Sequence, residues 1–144
     1  MWKRPPQDKI EPVVRHPIPT EFDLFEESLD ERTHLINVRG EIHVSTAPRF
    51  SERLNVAIAG GKTAVVLDLS EVEFIDSTGL SVLLNGLRRV VRRRGAMALV
   101  CTNPTVLRLF QITRLDTTFD ILPDRAAALA RVRAQAAGSS DGAP

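Results

Sequence analysis

The sequence predicts a single α/β domain built on a mixed β-sheet. Apolar residues alternate with polar ones along some segments and recur at every third or fourth position along others, as expected where strands and helices follow one another. The 144 residues are enough for one domain with a buried core. Hydrophobic residues make up 43% of the chain and charged residues 26%, which is typical of a globular domain.

Five segments have the composition and spacing of β-strands. Alternating apolar and polar residues at 22–27 and 32–39 predict an antiparallel pair that opens the domain. A β-branched apolar run at 65–69, bounded by turn residues, predicts a central strand buried on both faces. Shorter runs predict a further strand at 96–101 and an edge strand at 118–122.

Four helices are predicted between and after these strands. The Thr46 hydroxyl is expected to cap the first helix and Gly60 to end it, while Gly95 is expected to end the second. Asn103 opens the short third helix and Asp124 opens the fourth. In chain order the predicted helices are 46–59, 77–94, one that begins at 103, and 124–136.

Two of these helices have an apolar face at helical spacing, which we expect to pack against the sheet. On the second helix this face consists of Leu80, Leu83, Leu84, Leu87, Val90 and Val91. On the fourth helix it consists of Ala127, Leu129, Ala130 and Val132.

The turn Asp76-Ser77-Thr78-Gly79, between the central strand and the second helix, is the strongest candidate for a functional site. The first N–H groups of a helix are unpaired and carry partial positive charge. A serine at that point can cap the helix, attack a substrate or carry a phosphate group. The local sequence leaves these three roles of Ser77 open.

Motifs that would favour an enzyme fail on geometry. Gly61-Lys62-Thr63 looks like the end of a phosphate-binding loop, but Val56 stands where that motif requires glycine. Ser77 lacks the Gly-x-Ser-x-Gly turn of a serine hydrolase, and His43 is the histidine best placed to approach it. We therefore predict that the protein is not an enzyme and keep a Ser77–His43 catalytic pair only as a third alternative.

Composition excludes several other classes. The single Cys101 lies in an apolar run, which predicts a buried thiol in a reducing compartment and no disulfide, metal or redox site. No segment has the roughly 18 consecutive apolar residues of a membrane helix. With 19 basic and 18 acidic residues the net charge is +1, so no general attraction to nucleic acid or membrane is expected. These observations predict a cytoplasmic protein without a cofactor.

The two ends of the chain and one arginine-rich segment stand apart from the rest. Five of the nine prolines fall before residue 20, which predicts an extended arm at 1–20, a domain at 21–136 and a disordered tail at 137–144. Arginines cluster at the end of the second helix: Arg88, Arg89, Arg92, Arg93 and Arg94. They complement the helix dipole, or they face an anionic partner.

Three segments in a fixed order carry a resemblance to a known family. They are VRGEI with STAP at 38–48, LDLS with FIDSTGL at 67–80, and LFQIT with FDI at 109–121. They resemble the STAS domain, and more narrowly the bacterial anti-sigma-factor antagonists. The similarity covers about residues 22 to 135, and three ordered segments are more specific than any one alone.

The resemblance implies both a fold and a function. The fold is a mixed sheet of about five strands with about four helices, packed mainly on one side. The protein would bind an anti-sigma factor, often a serine kinase with a histidine-kinase-like ATP site, and so free the sigma factor. The kinase would phosphorylate Ser77 to end the interaction, and a PP2C-type serine phosphatase would reverse it. The matching partner-binding residues are Asp76, Thr78, Gly79, Leu80, Glu41, His43, Ser45 and Thr46.

The sequence departs from the family pattern at two positions. His43 replaces the acid that the family commonly has in this loop, where it is associated with kinase recognition. Arg114 replaces a glycine, so this arginine either tolerates a left-handed conformation or changes the turn. The main alternative is a STAS adaptor in a signalling scaffold or lipid-transport complex, with Ser77 acting mainly as a helix cap.

Overall fold

A mixed five-stranded sheet forms the centre of the described chain. The computed structural model describes the backbone of residues 21–141 and the side chains of residues 21–136. The strands are β1 (Asp23–Ser28), β2 (Thr33–Ile42), β3 (Ala64–Ile75), β4 (Ala96–Val100) and β5 (Asp120–Leu122). They lie side by side in chain order; β1 is antiparallel to β2, and the later neighbours are parallel. The predicted opening pair, central strand and edge strand are confirmed.

Four α-helices connect and follow these strands, as predicted. They are α1 (Ala47–Ala59), α2 (Ser77–Arg92), α3 (Pro104–Ile112) and α4 (Arg125–Asp141), with a short 3-10 helix at Leu115–Thr117. Helix α4 extends past the predicted end at residue 136 into the segment where a disordered tail is predicted. The predicted arm at 1–20 and the last residues, 142–144, lie outside the described residues.

The helices cover the two faces of the sheet unequally. Helices α1, α2 and α3 share one large core with the sheet, built around Phe50, Leu67 and Phe110. Helix α4 packs on the opposite face through Ala128 and Val132. The expected packing mainly on one side is therefore confirmed.

Two residues of the predicted packing faces are exposed. Val91 of α2 is 55% exposed, because it lines an open groove with Ala96 and Met97 instead of reaching the core. Ala130 of α4 is also exposed, while Ala128, which the prediction omitted, is fully buried one turn before Val132. The prediction was wrong at Val91 and Ala130.

Strand β3 is much longer than the predicted 65–69. Its first residues pair with both neighbouring strands, whereas residues 71–75 pair with β2 alone. The β2–β3 register shifts twice, at Asn37/Arg39 and at Gly40/Glu41, and Gly40 has a φ of 90°. The sequence obscured this extension because Ser70, Glu71 and Glu73 interrupt the apolar run. Strand β3, paired with β2 along its second half, therefore ends directly before the start of α2.

Two arginines adopt the left-handed conformation at helix ends. Arg94 has a φ of 63° after α2, and Arg114 has a φ of 64° after α3. Gly95 does not supply the left-handed residue; an added Cβ there would clash with the carbonyl oxygen of Thr63. Of the two outcomes considered for Arg114, the structure selects the left-handed one.

Candidate functional site

The candidate site is the junction at which β3 becomes α2. Asp76 has an extended conformation, with φ −106° and ψ −172°, and its carboxylate accepts a hydrogen bond from the Gly79 N–H at 3.0 Å. Asp76 is therefore the N-cap of α2, and of the three roles left open for Ser77 the structure does not support capping. An aspartate one residue earlier satisfies the same backbone donor and places its charge at the positive end of the helix dipole.

Ser77 is the first residue of α2, and its side chain is free. The residue is exposed, and its hydroxyl forms no hydrogen bond with another described residue. Its carbonyl oxygen accepts a hydrogen bond from the Ser81 hydroxyl at 3.0 Å. The N–H groups of Gly79 and Leu80 donate to Asp76, whereas those of Ser77 and Thr78 have no acceptor among the described residues. The hydroxyl thus lies at an open helix N-terminus with two unpaired donors.

The loop between β2 and α1 forms the other wall of the site. The Asp76 N–H donates to the Ile42 carbonyl oxygen at 3.1 Å, which joins this loop to the start of α2. Gly79 lies directly beneath, because an added Cβ would meet Ile42 Cγ2 at 2.8 Å and Ile75 Cγ1 at 2.6 Å. The residue at position 79 therefore has to be small for the two segments to meet.

Thr46 organises this loop and does not cap α1. Its hydroxyl donates to the Glu41 carbonyl oxygen at 2.7 Å and accepts from the His43 N–H at 3.0 Å. It makes no hydrogen bond to the first N–H groups of α1, so the predicted cap is wrong. The hydroxyl is used instead to close the turn that brings His43 and Ser45 to the surface.

His43 has neighbours for both ring nitrogens. Nδ1 accepts a hydrogen bond from the Ser45 N–H at 3.2 Å, and Nε2 lies 3.7 Å from Glu41 Oε1. His43 forms no hydrogen bond with Ser77 among the described residues. A general base must reach the hydroxyl that it activates, and this geometry gives the predicted catalytic pair no support.

The structure places the predicted site residues in one region, but they differ in how deeply they are buried. Ser45 is exposed, and Glu41, His43, Thr46, Asp76 and Thr78 are half-buried. Gly79 and Leu80 are buried, so they shape the site from beneath and offer little surface to a partner. That a partner binds these residues remains a prediction.

Two exposed apolar side chains beside the site were missed by sequence analysis. Val44 is 69% exposed in the loop before α1, and Phe74 is 43% exposed beside Glu41 in the β2–β3 ladder. Arg39 and Glu71 form an ion pair of 2.8 Å further along the same ladder. Alternation gives no signal for Phe74, because it would place this side chain on the same face of the strand as the buried Val72. The site therefore combines carboxylates with exposed apolar surface.

Comparison with known proteins establishes the family. The STAS domain model matches residues 28–128. The anti-sigma-B factor antagonist of Listeria monocytogenes is 35% identical over 86 residues, which cover 60% of this chain and 75% of that protein. The chain belongs to the STAS-domain family of anti-sigma-factor antagonists.

Two solved structures of the family share this fold. The crystal structure of an anti-sigma factor antagonist from Mycobacterium paratuberculosis has a TM-score of 0.72 at 32% identity, covering 78% of this chain and 95% of that one. The anti-sigma factor antagonist SpoIIAA in its unphosphorylated form has a TM-score of 0.67 at 25% identity, covering 79% of this chain and 97% of that one. The predicted STAS-type fold is therefore confirmed.

Three further findings concern the cysteine, possible metal ligands and possible membrane-spanning helices among the described residues. Cys101 is buried and unpaired, as predicted, and burial raises the pKa of its thiol. No group of three or more histidine, cysteine or acidic side chains in residues 21–136 is placed to hold a metal ion. None of the described helices has the length and apolar character needed to cross a membrane.

Proposed function

We propose that this protein binds an anti-sigma factor through the surface around the start of α2, and that phosphorylation of Ser77 ends the interaction. The name of its Listeria relative and those of its structural neighbours support the first part. The observation that carries the second part is the exposed Ser77 hydroxyl at the start of α2, left free because Asp76 makes the capping hydrogen bond. A hydroxyl that forms no hydrogen bond with any described residue is available for modification.

A phosphate at Ser77 would be tolerated by the domain. A phosphorylated serine carries about −1.5 to −2 charges at neutral pH, and a helix N-terminus with unpaired N–H groups stabilises an anion. The N–H groups of Ser77 and Thr78 are unpaired within the described residues. We therefore expect phosphorylation to leave the fold of this domain unchanged.

The same phosphate would oppose binding of a partner. Val44 and Phe74 present apolar surface, and Phe74 lies beside Glu41 in the β2–β3 ladder, so a partner that covers this surface must exclude water from it. Placing a doubly charged group into such an interface adds a desolvation cost and repulsion from the neighbouring carboxylates. The switch acts through the interface itself and requires no change of fold.

His43 bears on which kinase acts on Ser77. It occupies the position where the family commonly has an acid, and its ring lies 3.7 Å from the Glu41 carboxylate. Exchanging a carboxylate for an imidazole changes the local charge that an approaching kinase meets. We propose that the kinase partner of this protein accepts a histidine here, and that His43→Asp would make Ser77 a better substrate for serine kinases that act on family members with the acid.

The proposal is tested with the purified chain, serine-kinase anti-sigma factors and ATP. Intact mass spectrometry is expected to detect one phosphate on the wild type and none on Ser77→Ala. Ser81→Ala is the matched control, since Ser81 is also exposed and lies one turn further along α2. A phosphate that persists in Ser77→Ala, or that is absent with every kinase tried, would contradict the switch.

Binding is tested separately from phosphorylation. Calorimetric titration with an anti-sigma factor is expected to give an affinity for Ser77→Asp at least about tenfold below that of the wild type. If both forms bind equally, the protein is a constitutive binding module without a switch at Ser77. The proposal also implies binding instead of catalysis and a cytoplasmic location, and both remain predictions.

A further inference from the structure

The C-terminal end of α2 has more positive charge than its local structure requires. Five arginines lie within residues 88–94, and none forms an ion pair with a described carboxylate. Arg93 donates a hydrogen bond to the Ile58 carbonyl oxygen at 2.9 Å, and Arg88, Arg92 and Arg94 are exposed. Elsewhere in the described chain six arginines pair with carboxylates: Arg39, Arg49, Arg53, Arg125, Arg131 and Arg133.

The helix end itself is satisfied by its backbone. The Gly95 N–H donates to the Val90 carbonyl oxygen at 2.8 Å, and the Arg94 N–H donates to the Val91 carbonyl oxygen at 2.9 Å. These two hydrogen bonds form a Schellman motif with Arg94 as its left-handed residue. One or two cations are sufficient to complement the helix dipole, so the remaining arginines are not needed to end α2.

An apolar groove runs beside these arginines. Leu87 and Val91, one turn apart on α2, form one wall, and Ala96 and Met97 of β4 lie opposite. Strand β5 pairs with β4 only at residues 98–100, so it leaves this part of the edge uncovered. Asp120 lies at the far side of the groove. Its carboxylate forms an ion pair with Arg131 at 3.2 Å and accepts a hydrogen bond from the Gln135 side-chain amide at 2.9 Å.

Helical spacing places two of the arginines in a row beside the groove wall. Arg88 and Arg92 each follow a groove residue in the sequence, so they lie about 100° further round α2 and form an i, i+4 row on its exposed surface. Val91 is 55% exposed, which leaves an apolar side chain uncovered between the arginines. We call the groove and this row of arginines the basic groove.

The segments of the chain outside the described side chains do not match the charge of the basic groove. Residues 1–20 contain four basic and two acidic side chains, and residues 137–144 contain Asp141 as their single acid. Neither segment can neutralise five arginines. Residues 1–20 and 137–144 therefore offer no excess of negative charge to complement the basic groove.

We propose that the basic groove is a second docking surface, which binds an acidic amphipathic helix of a protein partner. Apolar side chains of that helix would cover Leu87 and Val91, and its carboxylates would pair with Arg88 and Arg92. A protein segment is favoured over nucleic acid because the groove has an apolar wall, and because no aromatic side chain lines it for stacking on bases.

This surface is distant from the phosphorylation site. Helix α2 has 16 residues, so its two ends lie about 24 Å apart. That separation exceeds the screening length of about 8 Å at physiological salt, and a charge added at Ser77 would scarcely affect the basic groove. The two surfaces can therefore be occupied independently, and a partner held at the basic groove would remain bound when Ser77 is phosphorylated.

The test uses the full chain and a labelled synthetic helix that carries leucine on one face and glutamate on the other. Fluorescence anisotropy at physiological salt is expected to detect saturable binding. NMR amide shifts of the chain should map the binding to residues 87–97. The double variant Arg88→Glu/Arg92→Glu is expected to bind at least about tenfold more weakly. Ser77→Asp is expected to bind as the wild type does, which separates this proposal from the proposed switch.

Matched variants control for overall charge and for loss of apolar area. Arg32→Glu/Arg108→Glu changes the net charge equally at two exposed arginines without carboxylate partners among the described residues, and should weaken binding less than about twofold. Val91→Ser should weaken binding several-fold and Val56→Ser should not, although the two valines are 55% and 50% exposed. Thermal unfolding checks that each variant is folded.

Four results would overturn the proposal. They are absence of saturable binding, equal weakening by both arginine pairs, undiminished binding of a peptide with serine in place of leucine, and tighter binding of a DNA duplex than of the acidic peptide at the same salt concentration. The first two would leave the arginines as solvating charge. The last two would assign the surface to charge alone or to nucleic acid.

Discussion

The two ends of α2 use charge in different ways. At the start, the Asp76 carboxylate accepts the Gly79 N–H and so forms part of the helix end. At the finish, backbone hydrogen bonds close the helix, including those from the Arg93 and Arg94 N–H groups, and the arginine side chains take almost no part in it. Acid at the start and base at the end both suit the helix dipole. The acid is needed for local structure, whereas most of the basic charge is available for binding.

The two ends also differ in how closely the backbone is packed. Gly79 is enclosed first by the side chains of Ile42 and Ile75, which can shift to some degree, and then by the Ile42 carbonyl oxygen at 3.1 Å. Gly95 is enclosed by the backbone of Thr63, which cannot shift without disturbing the adjoining strand. This contrast predicts a difference in stability that can be measured.

The largest effect is expected for Gly95→Ala. Its Cβ would clash with the Thr63 carbonyl oxygen and lie 2.9 Å from Thr63 Cα, so we expect a loss of more than about 3 kcal/mol in the free energy of unfolding. Gly79→Ala should cost about 1–3 kcal/mol because side chains can adjust. Urea denaturation measures both, with Gly60→Ala as a control expected to change stability by less than about 1 kcal/mol. Equal losses at positions 79 and 95 would show that the Thr63 backbone yields.

The second largest effect is expected on the opposite face of the sheet from α2, where Asp68 of β3 forms an ion pair with Arg125 of α4. Burial raises the pKa of Asp68, but hydrogen bonds from Ser70 and Arg125 outweigh it and hold the pKa below its ordinary value of 3.8. A carboxyl with a lowered pKa stabilises the fold above its unfolded pKa, and this contribution is lost as the pH falls through the lower folded value. Wild-type stability should therefore decline below about pH 3.8.

Asp68→Asn tests the source of that decline. The variant should be less stable by about 2 kcal/mol at neutral pH and should lose less further stability in acid than the wild type. Asp116→Asn is the control, since Asp116 is exposed and forms no ion pair within the described residues. Urea titrations across the acid range would contradict the assignment to Asp68 if its variant and the control declined in parallel.

The capping assignment at the start of α2 predicts a smaller effect. Asp76→Ala removes the acceptor for the Gly79 N–H and should cost about 1 kcal/mol, whereas Ser77→Ala should cost less than about 0.5 kcal/mol. Asp76→Asn retains an acceptor and should restore most of the loss. Thermal unfolding of the wild type and these three variants measures the differences in stability. A loss in Ser77→Ala as large as in Asp76→Ala would mean that the serine hydroxyl caps the helix after all.

The smallest effect is a gain at the basic end. Arg94 holds a left-handed conformation with φ 63°, which glycine adopts without strain, so Arg94→Gly should stabilise the fold by about 0.5–1 kcal/mol. Arg93→Gly is the comparison: Arg93 has φ −96°, so the variant relieves no strain and loses the hydrogen bond to Ile58. Differential scanning calorimetry measures both. A loss of stability in Arg94→Gly would indicate that the arginine side chain stabilises the helix end.

The local sequence pattern predicted the order of the elements correctly. Its errors have a common cause, which is that neighbouring strands decide burial and strand length. Apolar spacing placed the five strands and four α-helices of residues 21–141, because each spacing pattern depends only on residues close together in the sequence. It failed at Val91, which has the right spacing on α2 but lies beyond the part of the sheet that covers its neighbours. It also failed along residues 70–75, where pairing with β2 extends β3 beyond the end that the apolar pattern predicts.

The candidate site was predicted in position but not in detail. The motif located Ser77, yet the choice between Asp76 and Ser77 as cap depends on a backbone torsion that composition does not reveal. Thr46 was assigned to α1, but its hydroxyl closes the loop through the Glu41 carbonyl oxygen and the His43 N–H. Val44 and Phe74 were missed, since exposure of an apolar residue depends on what covers it.

The sequence by itself determined the class of fold, the order of its elements and the serine on which the proposed switch depends, because periodicity, turn residues and motif are local properties. Only the tertiary structure decided which neighbour caps α2, which apolar residues stay exposed and which arginines have no carboxylate partner among the described residues. Each of those outcomes depends on residues distant in sequence that folding brings together, such as Ile42 with Asp76 and Thr63 with Gly95.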